Sequence, residues 1–330
     1  MRRKTLVFMI SSFLMLSFAL TGCGSQNSTS NQAQQNTASP KVKVGYYGGT
    51  CEAPVYVAFE KGFFKNQGLD VELVKVSGDV LKEGIATGKI DAVQVSPGLL
   101  KPIEQGLNIK ITDGVHTGCI QAVAAQDSGI SSLQDLKGKT IGVDAIGGVP
   151  MVLLSVELGK LGIDPKKDVE WRAYPSPQLS QALEKGDIAA FATWDPFGEI
   201  AVGKGARLIF SSTHDPQYHD QFCCFVGING DVAQKNPEIA KKITAAIREA
   251  GEWIAQHPQE TAELAVNKKY IGGSIELNTK LLSDYQFKSS PSLAQSSLLF
   301  HLESMHEQGI LDSSTDPNEL LQHMFLSLDN

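Results

Sequence analysis

Gly88-Lys89-Ile90-Asp91-Ala92 recurs 98 residues later as Gly186-Asp187-Ile188-Ala189-Ala190. Val71-Glu72 is matched by Val169-Glu170 at the same offset, and Gly45 by Gly142 at 97. Around the first copy, 41–47 alternates polar and apolar residues as a strand does, and 53–65 carries an apolar helical face (Val57, Phe59 to Phe64). A second strand at 69–76, a helix at 80–87 stopped by Gly88, and a third strand at 90–95 follow. Strands separated by helices at this spacing require a parallel sheet covered on both faces. The near-constant offset predicts two related α/β lobes, each doubly wound. The apolar, β-rich stretch 107–125 can carry the chain to the second lobe and 207–229 can carry it back, leaving a cleft. The expected organisation is lobe one from 41–125 and 226–330, with lobe two from 126–225. A helical apolar period runs through 237–257 (Ile239, Ile243, Ile247, Ala250, Ile254), and three or more helices are expected to follow it.

Upstream of the repeat the chain reads as an export signal. Arg2-Arg3-Lys4 precedes an apolar run at 6–20, too short for a stable membrane span, and Leu20-Thr21-Gly22-Cys23 follows. The last four residues resemble a bacterial lipobox, which implies removal of 1–22 and lipidation of Cys23. Residues 24–40 are rich in Ser, Asn, Gln and Thr with no aromatic or charged residue, and are expected to act as a tether outside the cytoplasm. Without Arg2, Arg3 and Lys4 the chain carries 26 basic against 36 acidic residues. That balance gives no electrostatic footprint for nucleic acid and no basic patch for anionic lipid. With 42% hydrophobic and 20% charged residues the remainder is expected to be globular.

Glu60-Lys61-Gly62-Phe63-Phe64-Lys65 followed by Gly68-Leu69-Asp70-Val71-Glu72 resembles the opening of solute-binding proteins of ABC importers, in the nitrate, sulfonate and taurine group related to thiamine-pyrimidine binders. Gly88-Lys89-Ile90-Asp91-Ala92, the run from Ser132 to Gly142, and Trp194-Asp195-Pro196 extend the resemblance over roughly 41–255. It implies the type II periplasmic binding protein fold. It also implies a monomeric, lipid-anchored receptor that delivers a small polar solute (a sulfonate, a nitrate-like anion or a small N-heterocycle) to a permease and its ATPase. No enzyme activity and no cofactor are expected. Gly-x-Gly-x-x-Gly, the Walker lysine pattern, Gly-x-Ser-x-Gly and His-Glu-x-x-His are all absent. Cys223-Cys224-Phe225 followed by Asn236-Pro237-Glu238 resembles part of the cysteine-rich region of eukaryotic thiamine-pyrimidine synthases, but the longer cysteine run is missing.

Ligands of open α/β sheets sit beyond the carboxyl ends of the strands. Those ends nominate Tyr47, Gly49, Thr50, Cys51, Ser96, His116, Thr117, Cys119, Gly147, Gly148, Trp194 and Asp195 as solute-binding residues. The pairs Gly48-Gly49 and Gly147-Gly148 could present backbone N–H groups to an anion at a helix start. Against a simple anion stand Glu52, Asp144 and Asp195 at the same ends, and the lack of arginine in these loops. Cys51, Cys119 and the neighbours Cys223-Cys224 fall where the lobes should meet, so Cys51 and Cys119 at least are expected to adjoin. Three readings stay open for them: buried small hydrophobes, a Cys51–Cys119 disulfide, or soft coordination of a metal or thiophilic ligand with His116.

Overall fold

The computed structural model describes residues 39–328; the expected signal, Cys23 and nearly all of the tether lie outside them. Val42 and Val44 are buried between the exposed Lys41 and Lys43, so the polar–apolar alternation forms strand β1 (Lys41–Tyr46). It pairs in parallel with β2 (Asp70–Lys75) and β3 (Ala92–Val95). β10 (Phe222–Asn229) then lies antiparallel to β3, and β4 (Ile109–Thr117) antiparallel to β10. The second sheet repeats this plan. β6 (Thr140–Val143) pairs in parallel with β7 (Glu170–Ala173) and β8 (Ala190–Trp194). β5 (Ile120–Ala124) runs antiparallel to β8, and β9 (Arg207–Ser211) antiparallel to β5. The strand orders are β2-β1-β3-β10-β4 and β7-β6-β8-β5-β9. Val44 faces Ala92 as Ile141 faces Ala190, so the recurrence in sequence is a recurrence in register.

Two boundaries differ from expectation. β5, placed by the sequence in lobe one, hydrogen-bonds in the second sheet, and the start of β10, placed in lobe two, belongs to the first. The chain therefore crosses at Gly118-Cys119 and returns through 212–221. Both strands are buried along their whole length, so neither carries the alternation that assigns a strand to one sheet. The helix expected over 53–65 is two, Ala53–Glu60 and Phe63–Asn66, because Gly62 adopts φ +81° between them.

The helix Pro237–Gln256 buries Ile243, Ile247, Ala250 and Ile254 and packs on Ala53–Glu60, closing one face of the first sheet. The helix Pro291–Glu307 packs against β4 and β10 as well, with its buried Ala294, Leu298 and Leu302 in a core separate from that of Ile243 and Ile247, on the other face of that sheet. Covering both faces leaves the strand ends as the place where backbone and polar side chains meet the cleft.

Candidate functional site

The loop after β1 turns back on itself. Gly48 takes φ +106°, a conformation that favours glycine, and the turn wraps around the carboxylate of Glu52. That carboxylate is buried and accepts N–H bonds from Tyr47 (2.9 and 3.0 Å), Gly48 (2.7 Å) and Gly49 (3.0 Å), and the hydroxyl of Tyr56 (3.1 Å). Burial pushes its pKa up to about 7 against the pull of these donors. The N–H groups that could have cradled an anion are thus satisfied by the chain's own carboxylate. The second glycine pair is occupied as well: the Gly148 N–H bonds the Ala145 carbonyl (3.0 Å) and the Gly147 N–H lies 3.1 Å from the Met151 sulfur.

A cleft of about 700 Å³, including its open mouth, lies between the ends of the two sheets. Eight of the expected residues line it: Tyr47, Gly49, Cys51, Ser96, Cys119, Gly147, Gly148 and Trp194. Tyr47 and Trp194 face one another from opposite lobes with ring centroids 5.8 Å apart. Thr50, His116, Thr117 and Asp195 do not line it. The Thr50 hydroxyl is buried and donates to Asn278 Oδ1, so it is turned away from any solute. Thr117 is buried in β4, the strand that pairs with β10. Asp195 ties the lobes together instead: its carbonyl accepts the Thr50 N–H (3.0 Å) and its Oδ2 accepts the Tyr285 hydroxyl (2.6 Å). Burial holds its carboxyl well above the usual range.

The sequence missed Lys82 and Gly98, which also line the cleft, and put Gln94, Asp144 and Val149 at its strand ends without a binding role. Gln94 donates through Nε2 to the Cys51 carbonyl (3.2 Å), which fixes its amide and leaves Oε1 buried without a partner. Asp144 Oδ1 is likewise buried and unpartnered, and burial raises this carboxyl to about 6 against the pull of the Asp144 and Ala145 backbone N–H groups and the charge of Lys82. Both free atoms are acceptors.

Beneath the cleft, Cys51, His116, Cys119 and Cys224 are all buried, and their ligand atoms lie within 4.8 Å of one another. Cys223 adjoins them, with its sulfur 3.2 Å from that of Cys119. The expected proximity of Cys51 and Cys119 is thus present, with free thiols and no disulfide among the described residues. Hydrogen bonds from Cys119 and Cys224 hold the Cys51 thiol well below its ordinary pKa.

Two α/β lobes with a solute-sized cleft between their strand ends define a binding protein of the periplasmic type. The chain belongs to the NMT1-like family, whose model matches residues 35–267. Among curated proteins it is 26% identical to the nitrate/nitrite binding protein NrtA of Synechococcus elongatus, over 92% of this chain and 82% of that one. Among solved structures it resembles the periplasmic nitrate-binding protein NrtA of Synechocystis PCC 6803 (TM-score 0.75, 18% identity, 86% of each chain). It also resembles the alkanesulfonate-binding protein SsuA of Xanthomonas axonopodis pv. citri bound to MOPS (TM-score 0.72, 16% identity, 88% of this chain and 100% of that one). At these identities the two structures share its fold. These three relatives are solute-binding proteins.

Proposed function

We propose that this chain is the extracytoplasmic, lipid-anchored receptor of an ABC importer, that it captures a small polar solute between lobes 41–117 with 222–328 and 120–211, and that the solute donates hydrogen bonds. One observation carries the choice of solute: the buried acceptors Gln94 Oε1 and Asp144 Oδ1 face the cleft unpartnered, while the loop N–H groups are already taken. A nitrate-like anion or a sulfonate would bring only further acceptors to these two unpartnered acceptors. A small N-heterocycle with ring or amino N–H groups fits, its flat face laid against the aromatic wall of Tyr47 and Trp194 and its N–H groups on Gln94 and Asp144. The related nitrate and alkanesulfonate binders support the size and polarity of the solute and the importer as partner.

Calorimetry on the full chain in mild detergent tests this with aminopyrimidines, nitrate, taurine and alkanesulfonates. Tight binding is expected for an N–H-bearing heterocycle and a loss of roughly 10–100-fold for Gln94→Leu, which removes a buried acceptor worth about 1–3 kcal/mol. Tight binding of nitrate or a sulfonate, unaffected by Gln94→Leu, would overturn the choice of solute. The anchor is tested separately. Cys23→Ser is expected to release the receptor from the membrane with solute binding intact, because the lipid alone holds it there. A variant that stays membrane-bound would defeat the lipid assignment.

A further inference from the structure

We propose that the sulfurs of Cys51, Cys119 and Cys224 and Nε2 of His116 form a tetrahedral site for one thiophilic metal ion of the zinc class, set under the floor of the cleft. The four side chains come from three separate segments of the chain: the loop after β1, the end of β4 with the first crossing, and β10 just after the return. Their ligand atoms lie within 4.8 Å of one another. A tetrahedral ion with sulfur bonds of about 2.3 Å sets its sulfurs about 3.8 Å apart, so side-chain rotation alone closes the shell.

Three observations beyond proximity point to a ligand. His116 is fully buried and its Nδ1 meets the Thr117 carbonyl at 3.0 Å, which places the proton there. Nε2 is then an acceptor, buried with nothing but the Cys51 thiol to meet it. A ligating imidazole is oriented in this way, through a carbonyl bound to its other nitrogen. Second, Cys119 holds φ +97°, a left-handed conformation that strains a non-glycine residue and is retained where the surrounding structure holds it. Third, Cys51, Cys119 and Cys224 all reach the cleft wall, which gives the ion an entry path. Soft thiolate ligands with one imidazole select zinc or copper(I) over magnesium or calcium. On binding zinc the three thiols lose their protons to solvent, three S–Zn bonds and one N–Zn bond form, and no oxidant or reductant is needed. Since Cys119 sits at one crossing and Cys224 follows the other, the ion would tie both interlobe connections to the first strand's end.

The full chain, reduced and kept free of oxygen, is titrated with Zn²⁺ against a chromogenic competitor and, separately, with Co²⁺ as a spectroscopic probe. One equivalent of Zn²⁺ is expected, released protons scaling with it, and a thiolate-to-cobalt charge-transfer band. Cys224→Ser and His116→Gln are each expected to weaken Zn²⁺ binding by at least about 10–100-fold, the loss that even an orienting partner can cause. Cys223→Ser, next to the shell but outside it, should change affinity by no more than a few-fold, and thermal melts confirm that each variant folds. No stoichiometric uptake, a cobalt spectrum without the thiolate band, or equal losses for Cys223→Ser and Cys224→Ser overturns the site. So does a Cys119–Cys223 disulfide in the exported protein that persists and excludes the metal. These readouts are independent of the solute panel, so failure of the metal site and failure of the solute assignment are distinguishable.

Discussion

Glu52→Ala is expected to lower the thermal midpoint by roughly 6–20 °C and to abolish solute binding. The carboxylate accepts the N–H groups of Tyr47, Gly48 and Gly49 and the Tyr56 hydroxyl inside a buried loop. Removing it strands these donors, and unsatisfied buried groups cost about 1–3 kcal/mol each before water relaxes part of the loss. A net cost of about 3–5 kcal/mol is a large share of an ordinary folding stability. In a domain of this size each kcal/mol moves the midpoint by about 2–4 °C. Binding fails because the same loop carries Tyr47, Gly49 and Cys51 into the cleft. Glu52→Gln retains one acceptor oxygen and should fall between the variant and the native protein. Formate, a carboxylate small enough to enter the vacated space, should restore part of the loss in Glu52→Ala. Differential scanning calorimetry with and without formate checks both. An unchanged midpoint, or the absence of any response to formate, would show that the donors find water or other partners without the side chain.

This loop marks the limit of what the sequence made legible. The two-lobed fold was visible because a Gly-x-Ile-x-Ala joint between helix and strand recurs at constant offset, and register in a parallel sheet follows such joints. Glu52 was visible as an acid at a helix start, but only the turn at Gly48 reveals that it occupies the N–H groups beside it. Lys82 stayed hidden, and Gln94 was visible only as a strand end without a role, for a related reason. Each sits on a regular element of lobe one, and which face meets lobe two depends on how the lobes approach. The thiol cluster was half legible. Neighbouring residues on a regular strand point to opposite faces, which would keep Cys223 and Cys224 apart. Register shifts on either side of Cys224 break that alternation, and a bulge of this kind has no sequence signal in an all-apolar strand.

Gly98→Val is expected to keep the fold and yet lose solute affinity by roughly 10–100-fold. Gly98 lies in the 3-10 turn Pro97–Leu99 after β3, on lobe one, and faces the start of the helix Val149–Lys160 on lobe two. A Cβ at Gly98 would lie 2.6 Å from the Val149 nitrogen, 2.7 Å from its Cα and 2.8 Å from its Cγ2. Two of these atoms are backbone, so rotation of a side chain cannot relieve the clash. The helix start has to retreat. Overpacking of this kind costs about 1–3 kcal/mol, and every 1.4 kcal/mol is a factor of about ten in affinity. The cost falls on the closed arrangement alone, because lobes that stand further apart never bring Val149 against residue 98. Stability in the absence of solute should therefore change little, in contrast to Glu52→Ala. Small-angle scattering of the variant should give a larger radius of gyration than the native chain, and calorimetry should show the weakened binding. A variant that binds like the native chain, or that loses affinity and folding together, would mean that this contact does not govern the approach of the lobes.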